Sequence, residues 1–156
     1  MQTIDELIAE APTFAGLTAD QLELIAGCAS TAHAGAGELL LREGDAAERF
    51  YLIRHGLVAL EIDAPGRGPL MIQTLGDGEV LGWSWLFAPY RWAMDGRTLS
   101  ECSLVAFDGT CLRTKCEEDH ELGYELMKRF ASNVIDRLQA TRLQLIDVYG
   151  RAGATA

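Results

Sequence analysis

Between Gly35 and Gly109 the chain never runs far without a turn residue, and this punctuation constrains the fold more than any other feature. Four stretches, "GELLLREGD", "RFYLIRHGLVALEID", "PLMIQTLGDGEVLG" and "TLSECSLVAFDG", are rich in Leu, Ile, Val, Phe and Tyr. Gly35, Gly37, Gly44-Asp45, Gly56, "APGRGP", Gly76-Asp77-Gly78 and Asp108-Gly109 cut them into short runs. Short runs of strand-forming residues between turn signals predict antiparallel all-β structure, a barrel or a jelly roll. "LVALEIDAPGRGPLMIQTL" reads as one hairpin whose link, Ala64 to Pro69, is too long for a two-residue turn.

Helices frame this region. "GLTADQLELIAGCAS" predicts a helix with Thr18 as N-cap, Gln21 completing a capping box, and Leu17, Leu22 and Ile25 as its apolar stripe. An earlier helical turn runs from Ile4 to Glu10 and ends before Pro12. After Asp108-Gly109, "TCLRTKCEEDH" predicts a short helix. A long helix without proline follows, with Asp119 as N-cap and Gly150 as the glycine just past its end. About 30 residues of helix span roughly 45 Å, more than a small domain needs to cover its own core.

The pattern on that helix accounts for its length. Leu122, Leu126, Phe130, Val134 and Leu138 recur every four residues, the spacing of a helix lying on a sheet. From Val134 the steps alternate through Leu138, Thr141, Leu145 and Val148, a short heptad seam. One helix cannot bury such a seam alone. The spacing predicts a parallel homodimer through residues 130–149, with Phe130, Val134, Leu138, Thr141, Leu145 and Val148 at the interface. The fold class is therefore mainly β with flanking α: a double-stranded β-helix (jelly-roll) barrel, N-terminal helices and a long C-terminal dimerisation helix. Residues 1–118 would form the helix-flanked barrel and residues 119–150 the long helix of the same domain. The tail "RAGATA" is expected to fray.

Charge and cysteine content narrow the function. A net charge of -10 argues against direct nucleic-acid binding, which needs a basic face to displace counterions. No run of about 18 apolar residues is present, so no membrane helix is expected. "MQTIDELIAEAPTF" lacks the basic start of a secretory signal, and the chain is expected to be cytoplasmic. Cys28, Cys102, Cys111 and Cys116 do not read as a disulfide framework and are expected to be small buried thiols. Cys116 and His120 share a helix face, but two ligands without a CxxC pair do not make a metal site.

Several stretches carry a family resemblance. "FAGLTADQLELIA", "GELLLREGDAAERFYLIRHGLVALEI", "LGDGEVLGW" and "CSLVAFDG" followed by two helices resemble the cyclic-nucleotide-binding domain of the catabolite-activator and Fnr type. The spacing of Glu43-Gly44-Asp45, Phe50-Tyr51-Leu52-Ile53 and Gly56 is the strongest part, and the likeness spans residues 13–149. The chain stops at Ala156 with no helix-turn-helix after the long helix, so a stand-alone form is expected. The resemblance implies a non-catalytic sensor or adaptor whose final helix passes a signal on, here to a protein partner.

The same resemblance implies a phosphate-binding cassette, and this chain departs from it. The family places a glutamate directly after a glycine to accept the ribose hydroxyl, and an arginine about ten residues later to pair with the cyclic phosphate. Here Gly82 is followed by Trp83, and an ungapped match puts Trp92 at the arginine position. An indole offers one N–H and no acceptor, so it cannot replace a carboxylate. Cyclic AMP or cyclic GMP in the usual pose should bind weakly or not at all. A one-residue shift offers Arg91, so that Arg91-Trp92-Ala93 imitates the family's Arg-Ser/Thr-Ala; Arg97 is a more distant candidate. The candidate site is Gly82, Trp83, Ser84, Trp85, Arg91, Trp92, Ala93 and Arg97. The tryptophans either fill the vacated pocket, wall a site for another small anionic or aromatic ligand, or form a docking patch.

A cupin-like enzyme is the remote alternative. Its metal needs clustered histidines, and His33, His55 and His120 belong to no H-x-H motif. No P-loop or GxSxG is present either.

Overall fold

The computed structural model describes the backbone of residues 1–154 and the side chains of residues 1–150. It begins with α1 (Ile4–Glu10), a 3-10 turn (Pro12–Phe14) and α2 (Ala19–Ala26). Thr3 with Glu6, and Thr18 with Gln21, form the capping boxes that start α1 and α2. Each box satisfies backbone donors that an isolated helix start leaves unpaired.

Eight strands follow among the described residues: β1 (Ala29–Ala34), β2 (Leu39–Leu41), β3 (Arg49–His55), β4 (Val58–Ala64), β5 (Gly68–Leu75), β6 (Val80–Leu81), β7 (Asp95–Thr98) and β8 (Cys102–Asp108). They form two four-stranded antiparallel sheets, ordered β1-β8-β3-β6 and β2-β7-β4-β5. This is the expected jelly-roll arrangement. The β4–β5 hairpin is tighter than its sequence suggested, since Ala64 pairs with Gly68 and only three residues remain in the turn. Arg67 N–H donates to the Ala64 carbonyl at 2.9 Å, closing it as a local turn.

A column of rings joins β3 and β8 to the segment after β6 and to the final helix. Phe107 stacks on Phe50 at 4.5 Å, and Phe50 stacks on Trp85 at 4.6 Å. Phe130 meets Phe50 and Trp85 edge-on, at 5.5 and 5.2 Å. All four are fully buried. Gly56 shows why a glycine closes β3: its φ is +122°, and a Cβ there would lie 2.5 Å from Cys102 Sγ.

Two helices close the chain, α3 (Gly109–Glu118) and α4 (His120–Ala154). The Asp119 carboxylate accepts from Leu122 N–H at 3.2 Å, as an N-cap should. Leu122, Leu126 and Phe130 are buried against the barrel. Two expectations are corrected here. Gly150 does not end α4, which continues to Ala154; an internal glycine costs a helix only about 1 kcal/mol. Residues 151–154 of the "RAGATA" tail lie in this helix, and the last two residues lie outside the described ones. Phe130 faces its own barrel, so it is not free to join a dimer seam.

A further correction concerns the cysteines. Cys28 and Cys111 form a disulfide, and only Cys102 and Cys116 are buried thiols. The topology brings the pair together. Cys28 directly precedes β1, Cys111 follows β8 by a few residues, and β1 pairs with β8. Asp108 N–H donates to the Cys28 carbonyl at 2.8 Å, which fixes the approach.

Candidate functional site

The segment after β6 builds the candidate site. Gly82 has φ +102°, and a Cβ there would lie 2.7 Å from the Trp92 ring. Only glycine allows both the backbone turn and that close approach. Trp92 is itself buried, and its main chain is tied to the turn before β3. Its N–H donates to the Asp45 carbonyl at 3.0 Å, and its carbonyl accepts from Gly44 N–H at 2.9 Å.

Beside this contact a cavity of about 20 Å³ remains, lined by Leu60, Gly82, Trp83, Ser84, Trp92 and Ala93 among others. About 10–15 Å³ holds one water, whereas small-molecule pockets run to roughly 300–1,000 Å³. The space beside the tryptophans is thus far smaller than an ordinary small-molecule pocket.

The sequence-predicted residues separate into three groups. Gly82, Trp83, Ser84, Trp92 and Ala93 come together around the small cavity. Trp85 lies behind them in the aromatic column, fully buried, with its indole N–H unpartnered. Both candidate arginines turn to protein acceptors. Arg91 is exposed and donates to the Gly44 carbonyl at 3.0 Å. Arg97 donates to Glu61 Oε1 at 3.1 Å and to the Gly37 carbonyl at 3.2 Å.

Two arginines that sequence reasoning passed over stand closer to the segment's machinery. Arg137, from α4, reaches the rim of the cavity and donates to Gln73 Oε1 at 3.1 Å. Burial lowers its pKa, opposed by the charges of Glu79 and Asp136. Arg113, from α3, donates to the Trp85 carbonyl at 2.6 Å and lies 4.0 Å over the Tyr90 ring. The four-residue period of α4 could have shown that Arg137 flanks the packed stripe. Nothing local in "TCLRTKC" marks Arg113.

The histidines lie on separate elements: His33 on β1, His55 at the end of β3 and His120 at the start of α4. Among the described residues no group of three or more His, Cys, Asp or Glu could hold a metal ion. No helix among them is long and apolar enough to cross a membrane.

Two antiparallel sheets with a turn-bound segment between β6 and β7, closed by a long helix, define a regulatory binding fold. The chain belongs to the cyclic nucleotide-binding domain family, whose profile it matches over residues 32–119. It is similar to a Geobacter metallireducens GS-15 protein, described as a candidate cyclic nucleotide-binding protein, at 27% identity and TM-score 0.79. That likeness covers 88% of this chain and 99% of the other. It is also similar to the N-terminal domain of a transcriptional regulator from Streptomyces coelicolor A3(2), at 25% identity and TM-score 0.67, covering 86% and 94% of the two chains. A curated relative, the CRP-like cAMP-activated global transcriptional regulator of Mycobacterium tuberculosis, is 23% identical over 93% of this chain. The chain spans 63% of the length of the curated relatives it matches.

Proposed function

We propose that this chain is a non-catalytic regulatory module whose nucleotide pocket is filled by its own tryptophans. It acts as a homodimer through α4 and passes its signal to a protein partner. One observation carries the reading: the Trp92 ring lies where a side chain at Gly82 would project, leaving about 20 Å³ beside it. Cyclic AMP would have to displace that indole and would meet Trp83 where the family offers a carboxylate. Each buried polar group of the ligand left unpaired would cost about 1–3 kcal/mol. The engagement of Arg91 and Arg97 with protein oxygens supports the same reading.

The dimer reading draws on α4 beyond Val134. Leu138, Leu145 and Val148 are each more than half exposed on one seam, and Thr141 is exposed with them. The net charge of -10 keeps the module off nucleic acid. Its setting is cytoplasmic.

Titration calorimetry with cyclic AMP and cyclic GMP, on the wild type and on Arg91→Ala, tests the pocket. No heat with either nucleotide is the expected result. Micromolar binding that disappears in Arg91→Ala would establish the second reading, a true nucleotide binder with a shifted phosphate ligand. Light scattering at two protein concentrations tests the dimer; a monomer at both would remove it.

A further inference from the structure

The disulfide lies at one end of a connected set of contacts that ends at the tryptophan segment. Cys111, in the first turn of α3, is bonded to Cys28, which directly follows the Gly27 cap of α2. One turn later, Lys115 Nζ donates to the Leu24 carbonyl of α2 at 2.7 Å. Residues 111 and 115 are four apart and so share the face of α3 that meets α2. Between them Arg113 points elsewhere, to the Trp85 carbonyl and the Tyr90 ring. The helix α3 thus joins the N-terminal helices on one side to the segment Trp83–Arg91 on the other. Leu112 and Cys116 anchor it to the core.

The disulfide is also reachable. Cys28 and Cys111 line an open surface depression of about 720 Å³, together with Ser30, Arg49 and Asp108. Cys111 is half-buried, while Cys28 is buried. An incoming thiolate therefore meets the Cys111 sulfur. The other two cysteines are no competitors. Cys102 and Cys116 are buried, and burial pushes the Cys116 thiol up to about 11, so it stays protonated.

We propose that Cys28–Cys111 is a redox-exchange site for a dithiol reductant, and that its state sets how firmly α3 holds the segment Trp83–Arg91. In the first step a thiolate of the dithiol attacks Cys111 Sγ, forming a mixed disulfide and expelling Cys28 as a thiolate that takes up a proton. The second thiol of the reductant then attacks its own sulfur in that mixed disulfide and releases Cys111, which is protonated in turn. The protein gains two electrons and two protons, and the dithiol leaves as a disulfide. Without the covalent tie, Lys115 and the Asp108 hydrogen bond to Cys28 are left to hold α3 to the end of α2, and the grip of Arg113 on Trp85 loosens. The proposal stands whether or not the module binds a nucleotide.

The test uses the full chain, air-oxidised or treated with millimolar dithiothreitol without denaturant. Alkylation followed by peptide mass measurement should find Cys28 and Cys111 blocked in the first sample and free in the second. Hydrogen exchange should then rise about tenfold over residues 83–91 and 109–118 on reduction, while β3 and β8 stay protected. A Cys28→Ser/Cys111→Ser variant should exchange like the reduced protein and ignore dithiothreitol. Arg113→Met, which keeps the disulfide, should loosen residues 83–91 in both redox states and abolish the redox difference there. Four results would overturn the proposal: free Cys28 and Cys111 in the oxidised sample, reduction that requires denaturant, unchanged exchange over residues 83–91, or loss of protection throughout the barrel. The last would make the disulfide a structural staple only.

Discussion

Residues 82–97 and residues 135–149 carry similar loads of large apolar side chains, yet only the first segment buries them within its own chain. Trp85 and Trp92 are buried, and Trp83 is half-buried at the cavity. In α4, by contrast, Ile135, Leu138, Leu143, Leu145, Ile146, Val148 and Tyr149 are each more than half exposed. The first segment is irregular and can fold its rings back onto Phe50, Phe130 and Gly82. The second is a regular helix, and a helix can bury only the face its neighbours reach. Two of its ties to the barrel are Arg137 to Gln73 and Gln144 to the Ile72 carbonyl, both on β5. A buried aromatic cluster serves stability first, whereas the exposed apolar side chains of α4 are the surface on which the proposed dimer rests.

The contrast can be broken at several points. Phe130→Ala, where α4 meets the aromatic column, should lower the unfolding free energy by about 3–5 kcal/mol in a urea titration. Removing the disulfide with Cys28→Ser/Cys111→Ser should cost about 2–4 kcal/mol by the same measurement, because it frees an 83-residue separation in the unfolded chain. Gly82→Ala should cost about 1–3 kcal/mol, since the new methyl group forces the Trp92 ring to move. A shifted tryptophan emission would accompany it. In the exposed half, Leu138→Glu/Leu145→Glu should leave the stability of each folded chain within about 0.5 kcal/mol. Sedimentation should nevertheless show the dimer falling apart.

The smallest effect concerns pH. Gly56 N–H, then the His55 side chain, hold the Asp77 carboxyl below its usual value. A depressed carboxylate stabilises the fold above its unfolded pKa of 3.8, and the contribution is lost as pH falls through the folded value. Asp77→Asn should therefore lower stability slightly above about pH 4, where the ionised carboxylate contributes, and converge with the wild type at lower pH, flattening the acid limb of the stability curve. An Asp77 titration by NMR that matched a free aspartate would remove this effect.

Much of the fold was legible along the chain because its causes are local. The capping box at Thr18 and the N-cap at Asp119 depend on neighbours three residues away. Strand ends at Gly44, Gly56 and Gly82 follow from backbone conformations that other residues avoid. The absence of a carboxylate after Gly82 was equally plain. The partners of Arg91 and Arg97 were not, because Gly44 and Glu61 lie 47 and 36 residues away in the chain.

The sequence alone thus determined the order of helices and strands, the family pattern and the clustering of the tryptophans after Gly82, since each is written in residue type and short-range spacing. Only the tertiary structure decided that Trp92 closes against Gly82, that Phe130 belongs to the barrel, and that Cys28 finds Cys111. Those outcomes depend on strands pairing across the two sheets, and the free energy of such contacts lies in groups brought together from far apart in the chain.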